Sequence, residues 1–523
     1  MEVKVKVVKG QYHDSVSLML AAREMKKVDG VADAAIVMGT ETNKKLLEQA
    51  GLMTTAAEKA SADDLIITVK REKNAEEVLD LSDTYLTKKK TSRSQGTEEP
   101  VHSIRSMAKE HPDINFAEIS VAGAYAAKEA REALAHGMHV LLFSDNVSLE
   151  DEIDLKRYAV SKGLLLMGPG AGTAFMNGVG MGFANALKKG PVGIVSAAGT
   201  GLQEVSTILS AYGVGVSQAI GTGGRDLSQQ VGGLMANASI EALIDDVNTD
   251  IIILISKPAH EKVTQKLLAF LKRGKKESVI CTLGAEITIE NDANLHFTAT
   301  LEACALTAVR LAGGTARDYA AYLQEDLKKS EKEAKSIRAK LNANQRYIRG
   351  LYSGGTLCYE AQVIWRDMLK EPVYSNAPLV KKNYISDSRN TACHITLDLG
   401  EEEYTVGRPH PMIDNDLRMR HIHEAGTEAG TAVIVMDVVI GYGAHPDPAE
   451  ELGTAIHTAI QNAKEYGRYV PIVVCVTGTA DDPQGLENTK KKLQNAGAIV
   501  CDTNAQAARL AAMIVRGRQA VRK

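Results

Sequence analysis

Cysteine is sparse and scattered: six in 523 residues (Cys281, Cys304, Cys358, Cys393, Cys475 and Cys501), with no Cys-x-x-Cys pair and no histidine at zinc-ligand spacing. A disulfide framework is therefore not expected, nor is a bound metal. No apolar run approaches the roughly 18 residues of a membrane span, and the stretch MEVKVKVVKGQYHDS has no apolar signal core. A cytoplasmic protein without a membrane span is the expectation. An excess of charge of one sign is missing as well. The 61 Lys and Arg against 65 Asp and Glu leave a net charge of −4, which points away from nucleic acid and anionic membranes and leaves small anions as partners. What is present is length for three or four domains at roughly 150 residues each. Glycine is also slightly over-used, 44 residues of 523, or about 8% against the usual 7% or so. That excess matters only where the glycines cluster.

Short β-branched runs alternate with helical stretches along the chain: VKVKVV, AAIVM, LIITV, FAEISV, HVLLF, LLLM, VGIVS, DIIILIS, SVICTL, TAVIVMDVVI, YVPIVVCVTG and GAIVC. Strands buried on both faces read as apolar runs, and crossover helices carry the amphipathic period, so multidomain parallel α/β architecture is predicted. Three composition breaks divide it. Lys88 to Pro100 (KKKTSRSQGTEEP) is charged and turn-rich, Leu187 to Gly193 (LKKGPVG) restarts a strand, and Tyr319 to Arg349 reads as a solvated, charged helix joining two halves.

Two glycine clusters share a pattern. The strand Val192 to Val195 runs into Ser196, then Gly199, Thr200 and Gly201, then a helix; a second segment runs through Ser353, Gly354, Gly355 and Thr356 into another. A strand, a Ser/Gly/Thr turn and a helix start leave unpaired backbone N–H groups at the positive end of a helix dipole, where phosphate or carboxylate binds. The same residues also serve as ordinary turn formers and caps. Two such turns of similar composition in separate domains raise the expectation that one anion is gripped from both sides. Further candidates sit in charged loops. Gly221 to Ser228 (GTGGRDLS) places Arg225 and Asp226 behind Gly223 and Gly224, Met167 to Thr173 (MGPGAGT) closes the preceding domain, and YTVGRPHPMID holds Arg408, His410 and Asp414 in a loop stiffened by Pro409 and Pro411. An arginine fork reads carboxylate or phosphate at two points, and histidine polarises a carbonyl or shuttles a proton near neutral pH. Asp437 interrupts an apolar strand, so it either caps a loop or belongs to a site; His445 reads as a loop residue.

The segment from Asn115 to Met235, with ISVAGAYAAKEA, FSDNVSLEDEIDLKRYAVSKGLLLMGPGAGTA and GIVSAAGTG, resembles the α subunit of succinyl-CoA synthetase. The segment from Tyr347 onward, with YSGGTL and VVCVTGTADDPQGLENTKKKLQNAGAIV, resembles the carboxy-terminal ligase domain of its β subunit. Both are fused here without an intervening ATP-grasp domain, which implies an internal pseudo-dimer. The resemblance is closer to the FdrA family, through KGQYHDSVSLML, VMGTETNKKLL, IGTGGRDLSQQVGG, ISKP, GLYSGGTL, YTVGRPHPMID, DVVIG and VTGT. It implies an amino-terminal α/β domain, ferredoxin-like in its βαβ pattern, over 1–112, and a Rossmann-like, CoA-binding-like domain over 113–188. A ligase-like domain of α type over 189–315, a charged helical linker over 316–346 and a ligase-like domain of β type over 347–523 complete the chain, with flavodoxin-like parallel sheets.

The same resemblance implies an AllF-type subunit of oxamate carbamoyltransferase, acting in anaerobic allantoin breakdown beside AllG-type and AllH-type subunits. The reaction is phosphorolysis of oxalurate to oxamate and carbamoyl phosphate, with no cofactor required. An NDP-forming acyl-CoA ligase working with a separate ATP-grasp partner and a non-catalytic scaffold are the alternatives. Departures from succinyl-CoA synthetase bear on the choice. VICTLGAEITIE has no histidine where that enzyme is phosphorylated, the strand that supplies its supporting acid ends in Ser256, Lys257 and Pro258, His260 sits in an unrelated Lys-Pro-Ala setting, and the first 110 or so residues lack a glycine fingerprint for CoA. On this reading Ser196, Gly199, Thr200, Gly201, Gly223 and Gly224 with Ser353, Gly354, Gly355, Thr356 and Asp414 hold phosphate and substrate. Arg225 and Arg408 take the carboxylate or the transferred phosphate, and His410 polarises the carbonyl or manages protons.

Overall fold

The computed structural model describes residues 2–11, 15–62, 64–87, 103–121, 123–284, 294–385, 393–405 and 409–516. They form two compact units, residues 1–111 with 120–125 and 405–409, and residues 112–119, 126–404 and 410–523. The charged stretch 88–100 lies outside the described residues.

In the first unit, Glu2–Val8 and Val31–Met38 both pair antiparallel to a central Leu65–Arg71. With helices Ser15–Lys26 and Ala75–Thr87 this is the ferredoxin-like order without its last strand. Alternation along the central strand buries Leu65, Ile67 and Val69 on one face under those helices, and Ile66 on the other with Leu47, Leu52 and Ala57. The Glu41–Gln49 and Thr55–Glu58 helices, inserted between the second and third strands, thus cover a face that would otherwise be open.

The second unit holds three sheets. A small one orders Phe116–Ile119, His139–Leu142 and Leu166–Met167 in parallel. The other two repeat one topology. In the seven-stranded sheet, Val192–Ser196 lies between Val216–Gly221 and Ile251–Ser256, followed outward by Glu277–Thr282 and Leu295–Thr298, all parallel. In the six-stranded sheet, Tyr347–Tyr352 lies between His394–Asp398 and Thr431–Val439, followed by Ile472–Thr477 and Ile499–Cys501. Setting aside the short edge strand Val373–Ser375, which pairs parallel outside His394–Asp398, both follow the flavodoxin-like strand order 2-1-3-4-5, in which the crevice beyond the carboxyl end of strand 1 is the topological switch point. Each glycine turn sits there.

Sequence patterning recovers the fully apolar strands and misses those that are short or mixed. The Thr173–Met176 and Val179–Gly182 hairpin, turned at Asn177 and Gly178 with positive φ, joins the seven-stranded sheet through an antiparallel pairing with Val216–Gly221. The sheet boundary therefore falls near residue 170, ahead of the composition break at 187–193. The Asn-Gly pair was the available signal. The linker reading also needs correction. The Tyr319–Arg338 helix is not solvated all round but buries Asp326, Ser330, Ala334 and Ile337. Asp326 accepts from Arg509 Nε at 2.7 Å, and Arg509 Nη2 reaches Glu302 at 2.8 Å.

The two halves are tied by a reciprocal exchange. Glu204 and Glu360 occupy the same place, the sixth residue of the Gly199–Ala211 and Gly355–Met368 helices. Glu204 accepts from the N–H of Asn504 at 2.9 Å, and Glu360 from that of Leu301 at 2.7 Å. Asn504 and Leu301 each start a helix of the opposite half, where a carboxylate complements the dipole. Burial pushes the Glu360 carboxyl up to about 8, with Glu204 and Glu302 adding to the rise against the Asn504 and Leu301 donors. An acid raised in the folded state contributes stability in full below its unfolded value near 4.5 and loses it as pH climbs through about 8. The urea midpoint of the wild type is therefore expected to fall between pH 5 and 9 more steeply than that of Glu360→Gln. Parallel slopes would contradict a Glu360 contribution.

Candidate functional site

The strands ending at Ser196 and Tyr352 each turn directly into a helix, and the two helix starts meet. The Thr356 N–H donates to Thr200 Oγ1 at 3.2 Å. A Cβ on Gly201 would stand 2.9 Å from Thr356 Cγ2, and one on Gly354 would stand 2.8 Å from Thr200 Cγ2. Glycine is needed at both positions because the other half's threonine fills the space. Ser196, Gly199, Thr200 and Gly201 are thus brought together with Ser353, Gly354, Gly355 and Thr356.

The two turns are not equivalent. At the second, the Ser353 N–H, Ser353 Oγ and Gly354 N–H all donate to the Asp437 carboxylate, at 2.7, 2.9 and 2.9 Å. The Arg418 guanidinium backs that carboxylate at 3.2 Å and also reaches the Asp437 carbonyl, leaving its Nε without a partner among the described residues. Asp437 therefore caps a turn and belongs to the site at once. The donors that Asp437 takes belong to the turn ahead of the Gly355–Met368 helix, and of that helix's own first N–H groups the one of Thr356 goes to Thr200 Oγ1. At the first turn Ser196 Oγ closes on its own turn, donating to the Ala198 carbonyl at 2.8 Å and accepting from the Ala198 N–H at 3.1 Å. No side chain caps the Gly199–Ala211 helix, and nothing lies within 4 Å of a Cβ on exposed Gly199. The N–H groups of Gly199, Thr200 and Gly201 are the first of that helix, the ones a helix leaves without an intrahelical partner.

Asp398, at the end of the strand beside Tyr347–Tyr352, was missed in the sequence. One of its oxygens accepts from the Gly400 N–H at 3.0 Å. The other, Oδ2, stands over Gly355, where a Cβ would come within 2.3 Å, and has no hydrogen-bond partner among the described residues. Burial pushes this carboxyl up to about 7, with Glu401 and Asp437 adding to the rise while the Lys257 ammonium and the Gly400 N–H oppose it. The signal was available: Asp398 ends the largely apolar run HITLD at a carboxyl edge, as Asp437 interrupts one. Lys257 directly follows the strand Ile251–Ser256 of the other half, the counterpart of the Asp437 strand. Arg418, on a polar helix, carried no sequence signal.

His410 joins this cluster. Its Nδ1 accepts from the Met412 N–H at 3.2 Å, so Nε2 carries the proton. A Cβ on Gly400 would lie 2.9 Å from that Nε2, and Phe183 packs on the ring at 5.5 Å between centroids. Burial, helped by the Arg418 charge, holds the imidazole down to about 4. His410 is a neutral donor at physiological pH, which leaves carbonyl polarisation open and removes proton exchange near neutrality.

The remaining candidates lie elsewhere. Arg225 Nε pairs with Glu152 at 2.7 Å and its Nη2 donates to the Val147 carbonyl at 2.8 Å, with no contact to either glycine turn among the described residues. Its neighbour Asp226 shares the buried Lys156 ammonium with Glu152, at 2.8 Å each, and caps Met235 and Ala236. Lys156 also donates to the Thr222 carbonyl at 3.0 Å, and the Thr222 N–H to the Ser196 carbonyl at 2.8 Å. The Gly223–Gly224 loop therefore borders the first turn, and a Cβ on Gly223 would stand 2.7 Å from the Pro169 carbonyl oxygen. Asp414 accepts from the Asp416 N–H at 2.8 Å and opens a helix, and His445 reaches Glu451 at 3.4 Å. Arg408 lies outside the described residues.

Three family models match the chain. The AllF heavy metal-associated domain covers residues 1–102, the CoA-binding domain 187–284 and the CoA-ligase 351–514. Protein YahF of Escherichia coli (strain K12) is 39% identical over 99% of this chain and 100% of its own. The chain belongs to the AllF/FdrA-type succinyl-CoA synthetase-like proteins. As an AllF-type protein it shares 29% identity over 28% of its length with the α subunit of ADP-forming succinate–CoA ligase from Methanothermobacter thermautotrophicus, spanning half of that subunit. PH0766 of Pyrococcus horikoshii OT3 aligns with 15% identity over 81% of this chain and 87% of that one, at a TM-score of 0.31. The CoA-binding match falls on the seven-stranded sheet, whereas sequence segmentation places the CoA-binding-like domain at 113–188. The heavy-metal description does not fit the donors of this AllF-type domain, since no cysteine precedes Cys281. No group of three His, Cys, Asp or Glu in metal-binding range occurs among the described residues. No helix of the described residues is long and apolar enough to cross a membrane.

Proposed function

We propose that this chain is the AllF-type subunit of a carbamoyltransferase that converts oxalurate and phosphate into oxamate and carbamoyl phosphate, with AllG-type and AllH-type subunits and no cofactor. The observation that carries the reading is a helix start at Gly199–Gly201 without a side-chain cap, in a chain that has no histidine in VICTLGAEITIE, where succinyl-CoA synthetase is phosphorylated. The Nδ1 of His410 accepts from the Met412 N–H, which leaves its Nε2–H as a donor. Thioester synthesis through phosphohistidine lacks its carrier. Direct attack by phosphate needs only a dianion site, donors for the developing oxyanion and a cation for the substrate carboxylate. The uncapped helix start supplies the first, His410 Nε2–H the second, and Lys257 or Arg408 the third; Arg225 is held by Glu152 and is a weaker candidate.

The test is oxalurate formation from carbamoyl phosphate and oxamate, using the chain with and without its AllG-type and AllH-type partners. Activity with the partners, independent of CoA and nucleotide, is the expected result. Turnover that requires CoA and a nucleotide, with a labelled phosphohistidine, would replace the reading with acyl-CoA ligation; no turnover would leave a scaffold.

A further inference from the structure

We propose that Asp398 is the proton-transfer residue of this site, taking the proton of the attacking phosphate and delivering it to the departing nitrogen. The inference rests on the carbamoyl-transfer reading and adds to it the group that moves the proton. Oxalurate and hydrogenphosphate carry four hydrogens on their nitrogens and phosphate oxygen, and so do carbamoyl phosphate and oxamate. One phosphate oxygen forms a bond to the ureido carbon while the carbonyl π pair moves to oxygen. As the tetrahedral species collapses, the C–N bond breaks and its electron pair stays on the oxamate nitrogen. That nitrogen needs a proton, and the phosphate has one to lose. A single group beside both atoms balances the exchange.

Asp398 is placed for that exchange. Its Oδ2 lies over Gly355, against the paired helix starts, with no hydrogen-bond partner among the described residues. Its Oδ1 is fixed by the Gly400 N–H at 3.0 Å, so the carboxyl is oriented and one oxygen remains available. The charged and titratable groups facing it come from every neighbouring element. Lys257 approaches from the opposite half, Glu401 from the following loop, Asp437 from the next strand with Arg418 behind it, Cys358 from the second helix, and His410 Nε2 stands beside Gly400. Among them His410 is held neutral, Asp437 is consumed by three donors and Cys358 is buried with its thiol pushed up by desolvation. Asp398 combines a free, oriented oxygen with an ionisation near the working pH, the condition for efficient transfer in both directions.

Asp398→Asn keeps the shape and the Gly400 contact. In the complete complex it is expected to lower turnover at least about a hundredfold and to abolish the inflection near pH 7 expected in the wild-type pH profile of kcat/KM. Binding of inorganic phosphate, followed by calorimetry, should persist in the variant, which separates proton transfer from collapse of the site. A variant that retains wild-type turnover, or the wild-type inflection, overturns the assignment while leaving carbamoyl transfer intact. Loss of phosphate binding together with turnover overturns it in favour of a structural role. A wild-type complex that forms no oxalurate overturns the carbamoyl-transfer reading and the assignment with it.

Discussion

Asp437→Ala is expected to lower the stability of the second unit by about 3–5 kcal/mol, because it removes one partner of a buried ion pair and leaves the other. The carboxylate accepts from Ser353 N, Ser353 Oγ and Gly354 N, and it neutralises Arg418, which is buried with its Nε already unpaired. Against a total of roughly 5–15 kcal/mol for a typical domain, the loss is large. The measurement is the urea midpoint of the transition that reports the six-stranded sheet. Asp437→Asn combined with Arg418→Met removes both charges and retains an acceptor for the turn, so it is expected to recover part of the loss, as replaced ion pairs do. A single Asp437→Ala variant within about 1 kcal/mol of wild type would show that the pair does not hold the turn.

The second large effect separates the two glycine turns. A Cβ at Gly354 would lie 2.8 Å from Thr200 Cγ2 and 3.0 Å from Asp437 Oδ2. Gly354→Ala therefore pushes the helix starts apart, and turnover is expected to fall at least about a hundredfold, the scale set by misplacement of about 1 Å. The Gly354 φ of −104° is ordinary, so the effect is one of space and not of backbone strain. Gly199→Ala meets nothing within 4 Å and should be neutral or stabilising by up to about 1 kcal/mol. Its methyl group instead occupies the proposed anion-binding end, and affinity for inorganic phosphate should drop about tenfold, roughly 1.4 kcal/mol. Unchanged phosphate affinity in Gly199→Ala would move the anion elsewhere.

The sequence made particular parts of this arrangement legible. Ser196 with Gly199–Gly201 and Ser353 with Gly354–Thr356 announce themselves because a strand, a small-residue turn and a helix start form a local pattern. Asp437 was visible as a carboxylate in an apolar run, and Asp398 carries the same signal at the end of HITLD, yet a short strand with a polar first residue hides it. The Thr173–Gly182 hairpin joins a sheet whose other strands come later in the chain, so no composition break marks it. Arg225 and Arg408 have the same local appearance of an arginine in a glycine- or proline-rich loop. Nothing local reveals that a fully buried Glu152, from a helix more than 70 positions earlier, holds the first of them.

The sequence by itself determined the α/β class, the two fused ligase-like halves, the two glycine turns and the missing phosphoryl-carrying histidine, all properties written in contiguous residues. Only the tertiary structure decided what holds each turn. The two turns have nearly the same composition, but Ser196 Oγ closes the first on Ala198, whereas Asp437 reaches Ser353 and Gly354 of the second from a strand 83 positions beyond Gly354. A buried N–H group of a turn needs a partner. Whether a neighbouring hydroxyl or a distant carboxylate supplies it depends on what the fold brings to the turn.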